Sequence, residues 1–180
     1  MSYLKTRFCM VFLLSFLFAD VAMANPEFTS QDFIDAASIR SISEVETAKI
    51  ALEQSSSASV RVYAQQVIDE QTAVLLSLRK LAEAEHLIMP SDTELQANAR
   101  SYVFQRKGKT FDAAYADMRV IERKKSVSLF RDVAKKASGN IKLYALKQLP
   151  TLMHHLYMAQ TLVGDVAKDS FLMANNSSEP

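Results

Sequence analysis

The chain has 180 residues, with 21 Lys and Arg against 20 Asp and Glu and a formal charge of +1. That balance calls for neither nucleic acid nor an anionic surface as a partner. One cysteine and three glycines exclude a disulfide-stapled scaffold and a glycine-rich phosphate loop.

Lys5 and Arg7 precede an apolar run over residues 8–19, which Asp20 interrupts. Ala22-Met23-Ala24 then supplies small residues where a signal peptidase reads. This layout predicts a secretory signal peptide over residues 1–24, cut after Ala24. The run is shorter than the roughly 20 residues a spanning helix needs. Cys9 opens the run instead of closing it, which argues against a lipoprotein signal. The mature chain is then formally neutral, has no cysteine and has no spanning segment of its own. It is expected in the periplasm, free or associated with the outer membrane from inside. A domain over residues 25–167 must be held by its core alone.

The first helix is expected over residues 31–54, capped by Thr29 or Ser30, with Asp32 near the exposed first-turn amides. Its inward stripe is Phe33, Ala37, Ser41, Glu44, Ala48 and Ala51, widened by Ile34, Val45 and Leu52. Small residues in that stripe let a neighbour approach closely. Ser55–Ser57 makes a short turn, and a second helix follows over residues 58–86. Val60, Ala64, Val67, Gln71, Val74, Leu78 and Leu81 or Ala82 repeat on one face, with Gln71 as the polar interruption. A short turn implies antiparallel neighbours.

Residues 88–109 form a long link. Ser91 with Glu94 three residues on reads as a capping box opening a short helix, and Arg106-Lys107-Gly108-Lys109 as a solvated turn. The third helix is expected over residues 111–137, capped by Thr110. Phe111, Tyr115, Met118, Glu122 and Leu129 make one stripe, and Val120, Arg123, Val127, Phe130 and Ala134 the next. After the Gly139-Asn140 break, a fourth helix over residues 141–163 carries Ala145, Gln148, Leu152, His155, Ala159 and Leu162. Pro150 should kink it, because its nitrogen cannot donate to the Leu146 carbonyl. The polar tail over residues 168–180 is expected to be disordered.

The predicted fold is therefore all-α: a ferritin-like antiparallel four-helix bundle with a long crossover between the second and third helices. A plain up-down-up-down bundle with a decorated loop is the alternative. Each helix carries a polar residue near mid-length on its inward side: Glu44, Gln71 beside Glu70, Arg123 beside Glu122, and His155. A di-iron centre at this level would need two Glu-x-x-His pairs. Leu152-x-x-His155 lacks the Glu, and Glu83-x-x-His86 lies near a helix end.

Several segments together carry a family resemblance over roughly residues 28–165. They are Phe33 and Ser43-Glu44-Val45-Glu46, the run Tyr63-Ala64-Gln65-Gln66-Val67-Ile68-Asp69-Glu70-Gln71-Thr72, Phe111-Asp112-x-x-Tyr115 with Val127-x-x-Phe130, and Leu149-Pro150-x-Leu152-x-x-His155-Leu156-x-x-Ala159. The chain resembles the domain-of-unknown-function 4142 family. That resemblance implies an exported bacterial protein with a ferritin-like fold, often labelled a putative outer-membrane protein, of no general assigned activity. It also implies a Glu at the position of Glu44 and histidines at the positions of Gln71, Arg123 and His155. Such a set could hold a transition metal such as iron or zinc. This sequence departs from the pattern at Gln71, a poor ligand, and at Arg123, which cannot bind a cation. Only Glu44 and His155 remain as ligands.

Three readings of function follow. The first is a non-enzymatic envelope bundle with no cofactor and a degenerate metal site, binding an envelope partner or acting in stress. The second is a metal-binding ferritin-like protein for metal storage or oxidative-stress handling, using Glu44 and His155 with Glu70 and Glu122. The third is a binder of small apolar ligands in a cavity left by the first helix and the Pro150 kink. Met118, Met153 and Met158 read equally well as core filler, and Tyr115 as a core aromatic with a satisfied hydroxyl. No residue is assigned to catalysis, and the oligomeric state stays open. Glu44 and Arg123 are expected to form an inward ion pair, with Gln71 and His155 completing its hydrogen bonds. The bland alternative turns Arg123 outward and leaves Glu44 to water.

Overall fold

A computed structural model describes residues 28–94, 96 and 111–176. The signal segment, Thr110 and the Arg106–Lys109 turn lie outside the described residues. Four long helices make up the rest: α1 (Ser30–Gln54), α2 (Ala58–Ala84), α3 (Phe111–Lys136) and α4 (Gly139–Asn176). They pack as two antiparallel pairs, α1 with α2 and α3 with α4, with a longer link between α2 and α3. No described helix is long and apolar enough to cross a membrane.

Local chemistry sets the ends. Thr29 and Asp32 cap α1 reciprocally: the Thr29 hydroxyl accepts from the Asp32 amide, and the Asp32 carboxylate accepts from the Thr29 amide. Ser57 caps α2. Beyond Ala84, the Leu87 amide reaches back to the Ala82 carbonyl at 2.8 Å, and His86 takes a positive φ of 55°. This is a Schellman-type end with histidine in the left-handed position that usually selects glycine. The second helix thus stops short of residue 86. The link then folds back: the Gln31 side chain bonds both the amide and the carbonyl of Ile88, and Ser91 with Glu94 closes the expected capping box.

The fourth helix corrects the sequence reading most. It runs to Asn176, so residues 168–176, expected as disordered tail, are helical. Val166 extends its buried stripe by one turn, and Asp169 accepts from the Ser57 and Ser59 hydroxyls at 3.0 and 3.3 Å. Those bonds tie the end of α4 to the start of α2, a tertiary contact that composition could not announce. Pro150 lies inside α4 on its solvent side, near exposed Leu146, where water can serve the carbonyl that proline leaves without a donor.

Two apolar clusters divide the interior. The first gathers Phe33, Ile34 and Ala37 of α1, Leu78 and Ala82 of α2, Val127 to Ala134 of α3 and Ile141 to Leu152 of α4. Phe33 meets Phe130 edge-on at 5.1 Å between ring centroids. The second gathers Ala48 and Ala51, Val60 to Val67, Tyr115 and Ala116, and Ala159 to Val166. Alanines recur in it, and they let the α1 and α2 backbones come close. The same memberships fix direction: α2 and α3 both run from the second cluster to the first, while α1 and α4 run the other way.

Candidate functional site

Between the two clusters lies a layer of polar side chains, one or more from each helix. Glu44 and Gln71 are each 4 % exposed, Arg123 is 2 % exposed and His155 is 6 % exposed. All four sequence-singled residues thus come to one level. They also line one small void of about 30 Å³. That volume is far below the roughly 300 Å³ at which small-molecule sites begin.

Arg123 Nη1 stands 2.9 Å from Glu44 Oε2. The guanidinium N–H does not point along the line of contact, so the pair is held by charge more than by a well-formed hydrogen bond. Burial disfavours the charged form of Arg123, but Glu44, helped by nearby Tyr63, outweighs it and raises the guanidinium pKa. Tyr63 adjoins this pair without a hydrogen bond of ordinary geometry. Burial pushes its hydroxyl pKa up, against the pull of Arg123 and Arg119.

His155 does not complete that pair, as the sequence suggested. Its Nε2 lies 3.0 Å from Oε2 of half-buried Glu70, leaving Nδ1 buried without a partner. The other Glu70 oxygen accepts from Gln66 at 2.7 Å. Partial burial raises the Glu70 pKa, yet the hydrogen bonds from His155 and Gln66 and the charges of His155 and Arg123 bring the net below 4.5. Two charge-linked contacts therefore sit side by side, Glu44 with Arg123 and Glu70 with His155. Glu122 points elsewhere, to Arg40 at 3.2 Å and Lys125 at 2.8 Å.

This constellation does not fit a metal ion. A guanidinium offers no lone pair and brings its own positive charge to the place a cation would occupy. Glu44 is turned to Arg123, and His155 to Glu70. Among the described residues, no three His, Cys, Asp or Glu side chains converge as a ligand set. Glu83 and His86 are both exposed at the end of α2, where His86 serves the helix terminus.

Two expectations change in detail. Tyr115 is a core aromatic, stacked on Phe111 at 6.2 Å, but its hydroxyl is buried with no hydrogen-bond partner. Burial raises its pKa strongly. The void flanked by Gln148 and Thr151, next to Pro150, is only about 30 Å³. Two larger grooves open on the flanks, about 450 Å³ between α2 and α4 and about 440 Å³ between α1 and α3.

Sequence reasoning missed Arg119, which is 2 % exposed with its guanidinium 5.3 Å from the Tyr115 ring centroid. The signal was present: Tyr115, Arg119, Arg123, Val127 advance by four and share a face of α3. Arginine is rarely buried, and that general tendency outweighs the spacing when the sequence stands alone.

The family model described as a domain of unknown function (DUF4142) matches residues 18–162. No curated protein and no solved structure matches the chain. With that match covering most of its length, the chain belongs to the DUF4142 family.

Proposed function

We propose that this protein is an exported, non-enzymatic helical bundle that acts in the periplasm or envelope through binding, as a partner or stress-related factor. A buried ion pair stands in it where a metal centre would otherwise be. The burial of Arg123, 2 % exposed and 2.9 Å from Glu44, carries this reading. A guanidinium there supplies the positive charge that a cation would bring, and supplies it permanently. The shared direction of α2 and α3 supports a ferritin-like bundle whose second link crosses the length of the domain.

Metal analysis of the purified protein tests the reading. The expected result is no stoichiometric transition metal in the unmodified protein. Gln71→His with Arg123→His, which sets two imidazoles beside Glu44 and His155, should gain affinity for zinc. Stoichiometric iron or zinc in the unmodified protein would instead favour metal storage or oxidative-stress handling. Export is checked by intact mass: the secreted form should begin at Asn25.

A further inference from the structure

Charge is unbalanced inside the bundle. The buried charged side chains among the described residues include two guanidinium groups, Arg119 and Arg123, and one carboxylate, Glu44. Glu44 is engaged by Arg123. Glu122, the other carboxylate on the same seam, is engaged by Arg40 and Lys125. Arg119 is the cation left over. Its Nε and Nη1 are both sealed from solvent and have no hydrogen-bond partner. The Tyr115 face offsets part of the charge, but a ring face does not replace an acceptor in the plane of the guanidinium. A buried charge without such a partner is costly, and native proteins seldom keep one without a use.

Arg119 lines the groove of about 440 Å³ between α1 and α3. Arg40 lines it too, and its Nε is likewise buried without a partner. Two arginines that each carry an unmet buried donor therefore line one opening, whose volume lies in the range of small-molecule sites, about 300–1,000 Å³. Ile39 and Met118 give the same groove apolar wall. Glu44 and Glu122, also on its lining, would repel a second negative charge on a ligand.

We propose that the α1–α3 groove binds a small amphiphilic monoanion, a carboxylate with a short hydrocarbon tail. Arg119 receives the carboxylate, Arg40 adds a donor, and Ile39 and Met118 contact the tail. A planar guanidinium matches a carboxylate in shape and charge. This rests on the reading of the domain as a binding protein and names the ligand class for it.

The probe is sodium octanoate, titrated calorimetrically into the mature full-length chain. One saturable site is expected. 1-Octanol, with the tail alone, and inorganic phosphate, with charge alone, should each bind at least about tenfold more weakly. Arg119→Met keeps much of the side-chain volume and should weaken octanoate by about tenfold or more. Ile39→Glu alters the groove wall without touching the buried guanidinium and should do the same, which keeps the test open if Arg119→Met fails to fold. Absence of saturable octanoate binding, equal binding by a folded Arg119→Met or by Ile39→Glu, or octanol or phosphate matching octanoate would each overturn the proposal. Failure of the broader reading would show differently, as stoichiometric metal or turnover.

Discussion

Around Phe33, apolar side chains from all four helices meet, and the part-buried hydroxyls of Tyr144 and Ser77 beside them are bonded at 2.7 Å. At the level of Glu44 and beyond it, toward Tyr115, buried nitrogens and oxygens of Glu44, Tyr63, Tyr115, Arg119, Arg123 and His155 lack hydrogen-bond partners. The same helices pass through both regions, so the difference lies in the residues alone. The Phe33 end gains stability from every contact it makes. The polar level loses desolvation energy that the Glu44–Arg123 ion pair and the Glu70–His155 contact recover only in part. A core built only for stability would have been apolar throughout. The polar level is therefore where function is to be sought, and the Phe33 end is what makes its cost tolerable.

Moving one charge between the two regions sharpens this most. Leu78 is fully buried in the Phe33 cluster. Leu78→Asp should cost several kcal/mol, on the order of the whole margin of about 5–15 kcal/mol, and abolish cooperative urea unfolding. Gln71→Asp adds the same charge two helical turns away, next to Arg123 and His155, and should leave a folded protein by circular dichroism.

Acid should weaken the polar level. The folded Glu70 carboxyl titrates below its ordinary value of 4.5. A depressed folded pKa contributes stability that is complete above the unfolded pKa and is lost as pH falls through the folded value. Urea midpoints should therefore decline from about pH 4.5 downward, and Glu70→Gln should flatten that decline. A smaller effect is expected outside both regions. His86→Gly relieves the positive φ at the end of α2 and should raise stability by about 0.5–1 kcal/mol in thermal unfolding.

The helical frame was legible because its signals are local. The stripes Phe33 to Ala51 and Val60 to Ala82 repeat at helical spacing, and Thr29, Ser57 and Ser91 cap through bonds within three residues. The level of the polar layer was legible for the same reason, since each member sits at mid-helix. Its pairings were not. Glu70 and Gln71 are adjacent in sequence, about 100° apart around α2, and only the crossing of α2 with α4 determines which one meets His155. The length of α4 was hidden because Lys168, Asp169 and Ser170 read as a solvated tail until Asp169 finds Ser57 and Ser59. Arg119 was hidden by the general exposure of arginine, which its periodicity contradicts.

The ion pair itself is tested most directly by a double-mutant cycle on Glu44 and Arg123, measured by urea denaturation at neutral pH. Arg123→Ala should cost about 3–5 kcal/mol, because it strands the Glu44 carboxylate in the interior. Adding Glu44→Gln to that variant should recover part of the loss, so the two changes are strongly non-additive. Losses that simply add, or an Arg123→Ala cost of no more than about 1 kcal/mol, the range of an exposed pair, would contradict a buried ion pair at the centre of the bundle.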